Sequence, residues 1–129
     1  MGKNAFHNNR AHLKIAWLAI KMNYAQSHRI MIMKILQIPM LRDNYAYLLV
    51  CEKSKSAAII DPSEAEPALP MIEQEGVRLQ AFLNTHHHRD HTGGNEGILA
   101  RHKVEVYGHK SDNARIHGLS RGVDEGEEV

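Results

Sequence analysis

The sequence predicts a mixed α/β fold that forms a single modest domain or part of one. Three observations lead to this prediction. A chain of 129 residues has room for one hydrophobic core but not for two. Short β-prone segments alternate with stretches of helical character along the chain. A composition of 43% hydrophobic and 24% charged residues is typical of a globular domain and not of a disordered or membrane-spanning chain.

The predicted elements begin with three closely spaced strands. They are the apolar, β-prone segments MKILQI, NYAYLLVCE and SAAIID, of which the last is closed by Pro62. A helix is predicted over residues 62–76, with Ser63 as its N-cap and Gly76 as its stop. The alternating segment VRLQAFLNT then predicts a fourth strand.

Two further elements are predicted beyond residue 94. The segment NEGILARHK favours a helix capped by Asn95, and VEVYG favours a fifth strand. We expect the tail, residues 109–129, to be loop-like, with its last eight residues forming a turn that leads into a new strand.

Charge divides the chain into two parts. Residues 1–42 hold seven of the 16 basic residues and none of the 15 acidic ones, so they carry +7 against −6 for residues 43–129. We interpret residues 1–32 as a basic N-terminal extension, either poorly ordered, upstream of the natural start, or an organelle transit peptide. The domain is expected over residues 33–129. The longest apolar run of the extension, Ile15 to Ile20, is too short to cross a bilayer, and the overall net charge of +1 does not indicate a nucleic-acid partner.

Cys51 is the only cysteine of the chain, which excludes an internal disulfide. A cytoplasmic, reducing setting is therefore expected, with a mitochondrion or another organelle as the alternative if the extension is a transit peptide. Because Cys51 lies in an apolar strand-like run, we expect a buried thiol without a function.

The segment LNTHHHRDHTGGNEG follows directly on the predicted fourth strand and concentrates metal-binding side chains. Functional side chains often lie where strands end and loops begin. Imidazole and carboxylate are good ligands for zinc and also for iron or manganese, and the lack of cysteine favours a catalytic site over a structural zinc site. The predicted ligands are His86, His88, Asp90 and His91.

The spacing of these ligands predicts a loop that could hold two metals. In an extended segment His86 and His88 project to the same side, whereas on a helix they would not. If the chain turns after them, helped by the two glycines that follow, Asp90 and His91 can face a second metal.

The neighbouring polar residues are assigned more modest roles. His87 and Arg89 are interpreted as spacers. We expect His102, His109 and His117 to lie on the surface. Asp61 ends the third strand beside a proline, and two roles remain open for it: a turn former, or a carboxylate that orients the metal loop.

The segment THHHRDHTGGN resembles the signature motif of the metallo-β-lactamase superfamily. The wider pattern resembles the glyoxalase II branch, the hydroxyacylglutathione hydrolases, through the segments IPMLRDNYAYLL, IIDPSEAEP and VYGHK. The resemblance runs from about Met33 to Val129. It implies an αββα sandwich of which this chain would supply the N-terminal half.

The resemblance also implies an activity. It is the metal-dependent hydrolysis of S-D-lactoylglutathione, a glutathione thioester, to D-lactate and glutathione in methylglyoxal detoxification. Two divalent metal ions are implied, with Zn²⁺ preferred over Fe or Mn. His86 and His88 would bind the first, Asp90 and His91 the second, and Asp90 would act in catalysis by orienting the attacking water.

The family's remaining metal ligands and its glutathione-holding region lie further along its chain than Val129. We therefore expect the 129-residue chain alone to bind metal weakly and to hydrolyse little thioester. Another enzyme of the same fold, such as a persulfide dioxygenase or an esterase, is one alternative, and a non-catalytic metal-binding fragment is another. Half a sandwich would also expose apolar sheet surface and so promote oligomerisation.

Overall fold

The computed structural model describes residues 32–128, and these residues form one six-stranded sheet with helices packed against it. Most of the predicted N-terminal extension, residues 1–31, lies outside the described residues. The elements in chain order are β1 (Met33–Met40), β2 (Asn44–Cys51), β3 (Ser56–Ile60), α1 (Ala65–Glu75), β4 (Arg78–Leu83), α2 (Arg89–Thr92), α3 (Asn95–Leu99), β5 (Glu105–His109), the 3₁₀ turn Lys110–Asp112 and β6 (Leu119–Val123). The predicted α/β class and all five predicted strands are confirmed.

The strands lie side by side in their chain order, and their directions decide where loops meet. Strands β1, β2 and β3 are antiparallel neighbours, whereas β3, β4, β5 and β6 are parallel to one another. The carboxyl ends of the four parallel strands therefore lie along the same edge of the sheet. The start of β2 lies at that edge as well, because β2 runs against β3.

The larger apolar core lies between the sheet and the helices α1 and α3. Phe82 of β4 is its largest fully buried side chain, and Ile72 of α1 and Ile98 of α3 are buried against the same cluster. Strands β1, β2 and β3 contribute to this face with alternate residues, as the period of two requires. In β4 an irregularity opposite Ala57 and Ala58 places Leu79 and Phe82, which are three residues apart, on the same face. This core anchors β4 up to Phe82, one residue before the strand ends.

A second, smaller apolar cluster involves the opposite side chains of the same strands. Its members are 3 to 8% exposed, and Met33, Tyr47 and Val123 pack against them. Ile35 of β1 and Tyr45 of β2 lie on the same face and are 56% and 47% exposed, so part of this face is uncovered. Oligomerisation through such a face stays a prediction.

Helix α1 begins at a different cap from the predicted one but ends where predicted. The N-cap residue is Glu64 and not Ser63, because the Ser63 hydroxyl donates a hydrogen bond to the backbone of Asp90 instead. The predicted stop at Gly76 is correct: this residue adopts a left-handed conformation with φ of 60°, and its amide donates to Glu73 and Ile72 carbonyls. Asn95 is likewise not a cap but the first residue of α3, which follows Gly94.

The prediction that residues 109–129 are loop-like is wrong. They include the 3₁₀ turn and β6, which pairs in parallel with β5. The segment LSRGV carries little apolar alternation, and only its pairing with a neighbouring strand makes it a strand. A turn follows β6 as predicted, with Gly126 at a φ of 85°.

The expectation of a fully buried thiol is also wrong. Cys51 is half-buried, because it is the last residue of β2 and borders the exposed turn 52–55. A hydrogen bond with the Ser54 side chain lowers the pKa of its thiol. Among residues 32–128, no helix has the length and apolarity needed to cross a membrane.

The dependence of the sheet on its helix-facing core can be measured with a matched pair on β4. Phe82→Ala should lower the free energy of unfolding by about 3–5 kcal/mol, because it removes a fully buried ring and leaves a cavity. Gln80→Ala, at an exposed position of the same strand, should change it by less than about 0.5 kcal/mol. Urea unfolding followed by circular dichroism distinguishes the two, and equal losses would contradict the assignment of the core.

Candidate metal centre

The histidine cluster occupies the loop between β4 and α3. The chain bends over residues 85–87 and then forms the single turn of α2, which begins at Arg89. The predicted conformation is confirmed: His86 and His88 precede the turn, and Asp90 and His91 lie within it. We call residues 85–91 the metal loop.

The metal loop brings its predicted ligands together. The ring centroid of His86 lies 4.6 Å from that of His88 and 4.2 Å from that of His91. The Nε2 atom of His91 lies 3.4 Å from Oδ2 of Asp90. All four predicted ligands are thus close neighbours at the carboxyl end of β4.

Asp61, at the end of β3, holds both ends of the metal loop. Its Oδ1 atom accepts a hydrogen bond from the Thr85 amide at 2.8 Å, and its Oδ2 atom accepts one from the Thr85 hydroxyl at 2.6 Å. The same Oδ2 atom lies 3.0 Å from Nδ1 of His91. Asp61 is only 3% exposed and has a φ of 48°, so it combines the two roles left open by the sequence, turn former and orienting carboxylate.

These contacts determine which nitrogen of each ring can bind a metal. The Thr85 hydroxyl gives its proton to Asp61, so its oxygen accepts from Nδ1 of His86 at 3.0 Å. His91 satisfies Asp61 by donating from Nδ1 in the same way. Both rings then carry their proton on Nδ1, so the lone pair of each ring is on Nε2. The pKa of His86 is lowered, chiefly by burial, and this favours the neutral imidazole that metals require.

Asp90 is held by two residues that the sequence did not assign to the site. Asn44, at the start of β2, donates from Nδ2 to the Asp90 carbonyl at 2.8 Å and to its Oδ2 at 3.2 Å. Ser63 donates from its hydroxyl to the same carbonyl. The hydrogen bond from Asn44 is the largest cause of a lowered pKa of the Asp90 carboxyl. The position of Asn44 in the sequence does not indicate that it contacts Asp90.

A buried pair of amides supports the other side of the loop. Asn84 donates to the His91 carbonyl at 3.1 Å, and Asn95 donates to Oδ1 of Asn84 at 2.7 Å. Asn95 also donates to the His117 carbonyl at 3.2 Å. Both asparagines are 1% exposed or less, and their hydrogen bonds tie α3 and the segment before β6 to the metal loop.

The structure also describes the histidines and the arginine that the sequence did not assign as ligands. His109 and His117 are exposed as predicted, whereas His102 is half-buried. Arg89 is exposed, in agreement with a spacer role. His87 contacts the side chains of Asp112 and Arg115, so it is more than a spacer.

The chemical types of the candidate ligands suit a divalent metal ion. Neutral imidazoles oriented by a carboxylate, with one further carboxylate beside them, are typical ligands of Zn²⁺ and of iron or manganese. Among residues 32–128, no three His, Cys, Asp or Glu side chains already stand in the geometry of a metal-binding group.

A family model for the metallo-beta-lactamase superfamily matches residues 40–128. The chain belongs to the metallo-beta-lactamase superfamily. It is 48% identical over 98 residues to a hydroxyacylglutathione hydrolase of Synechococcus sp. (strain JA-3-3Ab), covering 75% of this chain and 39% of the relative. It is also 48% identical over 93 residues to a hydroxyacylglutathione hydrolase of Rhodospirillum rubrum, covering 72% and 36%. The chain thus spans about two fifths of the length of these relatives.

Solved structures of the superfamily share the fold. BLEG-1 B3 metallo-beta-lactamase matches with a TM-score of 0.59 and 30% identity, over 63% of this chain and 39% of that one. ETHE1 from Myxococcus xanthus matches with a TM-score of 0.58 and 27% identity, over 77% and 43%. The fold predicted from the superfamily resemblance is confirmed.

Asn44→Ala should raise the pKa of the Asp90 carboxyl towards its ordinary value, because it removes the main hydrogen bond to that group. The pKa is depressed in the folded state, so this interaction stabilises the fold above the unfolded pKa and is lost as the pH falls through the folded pKa. The Asn44→Ala variant should lack this pH-dependent contribution to the free energy of unfolding. An NMR pH titration of the Asp90 side chain in the metal-free chain measures the shift.

Asn113→Ala is the matched control, since Asn113 is an exposed asparagine outside the metal loop. An Asp90 titration that is the same in the wild type and in Asn44→Ala would rule out Asn44 as its cause.

Gly94→Ala should destabilise the metal loop through a steric clash. A Cβ atom at this position would lie 2.7 Å from the Pro62 oxygen and 2.7 Å from the Glu64 carbonyl carbon, both backbone atoms that cannot rotate away. We expect a loss of about 1–3 kcal/mol in the free energy of unfolding. Urea unfolding of this variant is compared with that of Lys103→Ala, an exposed position, and equal stabilities would contradict the close approach.

Proposed function

We propose that this chain contributes a metal half-site to a thioester hydrolase of the hydroxyacylglutathione hydrolase type. The observation that carries the proposal is the metal loop itself, in which Asp61 orients two imidazoles and Asn44 orients the carboxylate between them. Identity of 48% to hydroxyacylglutathione hydrolases supports the choice of reaction. The domain that carries this function is proposed to lie within residues 33–129.

His86, His88, Asp90 and His91 are the proposed metal ligands, with His86 and His88 on a first ion and Asp90 and His91 on a second. Zn²⁺ is the preferred metal, with Fe or Mn as alternatives. Two bound cations would polarise the thioester carbonyl and lower the pKa of water enough to make a nucleophile near neutral pH.

The chain's own residues prepare the site for that chemistry. Asp61 keeps the His86 and His91 rings in the tautomer that presents Nε2, directly or through Thr85. Asn44 holds the Asp90 carboxyl ionised and in one orientation, so that it can accept a hydrogen bond from the attacking water and direct it. The thiolate of a thioester is a good leaving group, so the site needs no strong general acid.

The proposed substrate is a glutathione thioester such as S-D-lactoylglutathione, and the proposed setting is a reducing compartment such as the cytoplasm. A chain with one cysteine suits that setting. No nucleic-acid or membrane partner is part of the proposal.

The second candidate is a persulfide dioxygenase that uses a single iron. The structural likeness to ETHE1, an enzyme of that class, favours keeping it. The identity to ETHE1 is 27% against 48% for the hydroxyacylglutathione hydrolases, and this favours hydrolysis.

The proposal can be tested in a chimera, because the relatives are longer than this chain. Residues 33–128 replace the matching segment of the Rhodospirillum rubrum hydroxyacylglutathione hydrolase, and the chimera is assayed with S-D-lactoylglutathione and Zn²⁺. We expect hydrolysis that a chelator abolishes. His88→Ala and Asp90→Asn should each reduce it by about 10²-fold or more, because each removes a proposed metal ligand.

His102→Ala provides the control, as a histidine outside the metal loop, and should leave the rate unchanged. A folded, metal-loaded chimera that consumes oxygen with a persulfide but hydrolyses no thioester would favour the dioxygenase. A folded chimera with neither activity would overturn the proposed function.

A further inference from the structure

His87 stands between two proposed ligands in the sequence but makes a different set of contacts. Its Nδ1 atom lies 3.3 Å from Oδ1 of Asp112, and its Nε2 atom lies 3.4 Å from Nη1 of Arg115. Arg115 also donates from Nη2 to the same Asp112 oxygen. The three side chains form a closed set of contacts, which we call the His87 clamp.

The clamp is anchored in the loop that follows β5, the strand next to β4. Asp112 ends the 3₁₀ turn that follows β5, and β5 pairs in parallel with β4. The backbone oxygen of Asp112 accepts hydrogen bonds from the amides of Arg115 and Ile116, at 2.8 and 3.0 Å. The clamp therefore joins two neighbouring loops at the same edge of the sheet.

Burial makes the clamp's carboxylate depend on its partners. The side chain of Asp112 is only 7% exposed, whereas that of His87 is 32% exposed and that of Arg115 is 51% exposed. A buried carboxylate is costly unless hydrogen-bond donors or cations surround it. Arg115 supplies the cation and His87 supplies a second donor.

One tautomer of His87 satisfies both of its contacts. With the proton on Nδ1 the ring donates to Asp112, and its Nε2 lone pair accepts from the Arg115 guanidinium. Both ring nitrogens are then engaged. A metal ion at Nε2 would have to displace the guanidinium and lie beside its positive charge.

The proposed ligands differ in this respect. His86 and His91 direct Nδ1 towards Thr85 and Asp61, and the Nε2 atom of His91 lies 3.4 Å from the Asp90 carboxylate, itself a proposed ligand, whereas that of His87 faces a guanidinium. The His87 ring is nevertheless close enough to compete, since its centroid lies 4.9 Å from that of His88. In a run of three histidines, neighbouring side chains can determine which of the rings bind a metal.

We propose that Asp112 and Arg115 are positioning residues that hold His87 out of the metal site. This inference rests on the proposed metal half-site and adds a determinant of its ligand set. Loss of either residue would release His87 as a competing ligand and change which side chains bind the metal.

The test follows the ring nitrogens of each histidine by ¹⁵N NMR while Zn²⁺ is added to the 129-residue chain. In the wild type, Zn²⁺ should shift the ring signals of His86, His88 and His91 and leave those of His87 in place. In Arg115→Ala and in Asp112→Asn, the His87 ring signals should shift as well. A merely structural clamp would not move His87 onto the metal.

Two controls accompany the titration. Lys103→Ala removes an exposed cation outside the clamp and should behave as the wild type. His87→Ala should keep the Zn²⁺-induced shifts of the other three rings. If Asp112→Asn does not fold, the Arg115→Ala variant tests the proposal, because Arg115 is half-exposed.

The outcomes separate this inference from the proposed function. A His87 ring that responds to Zn²⁺ in the wild type, or that stays unmoved in the folded Arg115→Ala variant while His86 still responds, would overturn the clamp alone. A wild-type chain in which no ring of the metal loop responds would overturn the proposed metal half-site and the clamp with it.

Discussion

A buried carboxylate at the end of β3 is the constraint on which the site depends. Asp61 accepts hydrogen bonds from the amide and hydroxyl of Thr85 and contacts Nδ1 of His91, so one side chain joins the start and the end of the metal loop. A charge at 3% exposure is tolerated only because these donors surround it. The left-handed backbone of Asp61 turns the chain so that this carboxylate faces the loop. The imidazole tautomers, and therefore the atoms presented to a metal, follow from this single group.

The sheet explains why so many separate segments reach the same place. Four parallel strands end at one edge, and the antiparallel hairpin places the start of β2 there too. Asn44 and Ser63 hold Asp90, and Asn84 holds the carbonyl of His91. The close approach of Gly94 to the segment before α1 allows these contacts to form, since a Cβ atom would meet backbone there. A superfamily that carries many reactions can keep such a frame while the surrounding loops change.

The sequence predicted most of the local structure well. The strands of the helix-facing core carry strong apolar patterns, so their existence was predicted correctly, as was the loop conformation of His86 and His88. Most of the wrong predictions concern residues whose structure depends on a partner that is distant in the sequence. Ser63 is a good N-cap by type, yet its hydroxyl bonds to Asp90 instead. The segment Leu119–Val123 is a strand because β5 offers a partner, although its own pattern is weak. Cys51 is half-buried because it lies at the end of its strand.

The sequence by itself determined the α/β class, the superfamily and the identity of the proposed ligands, because these are encoded in short-range patterns and in one dense motif. Only the tertiary structure decided how those ligands are oriented. The partners of the metal loop stand up to 46 residues away in the chain: Asn44 contacts Asp90, and Asp61 contacts His91. The engagement of His87 by Asp112 and Arg115 is of the same kind. Hydrogen bonds of this range depend on strand order and direction, which no local spacing specifies.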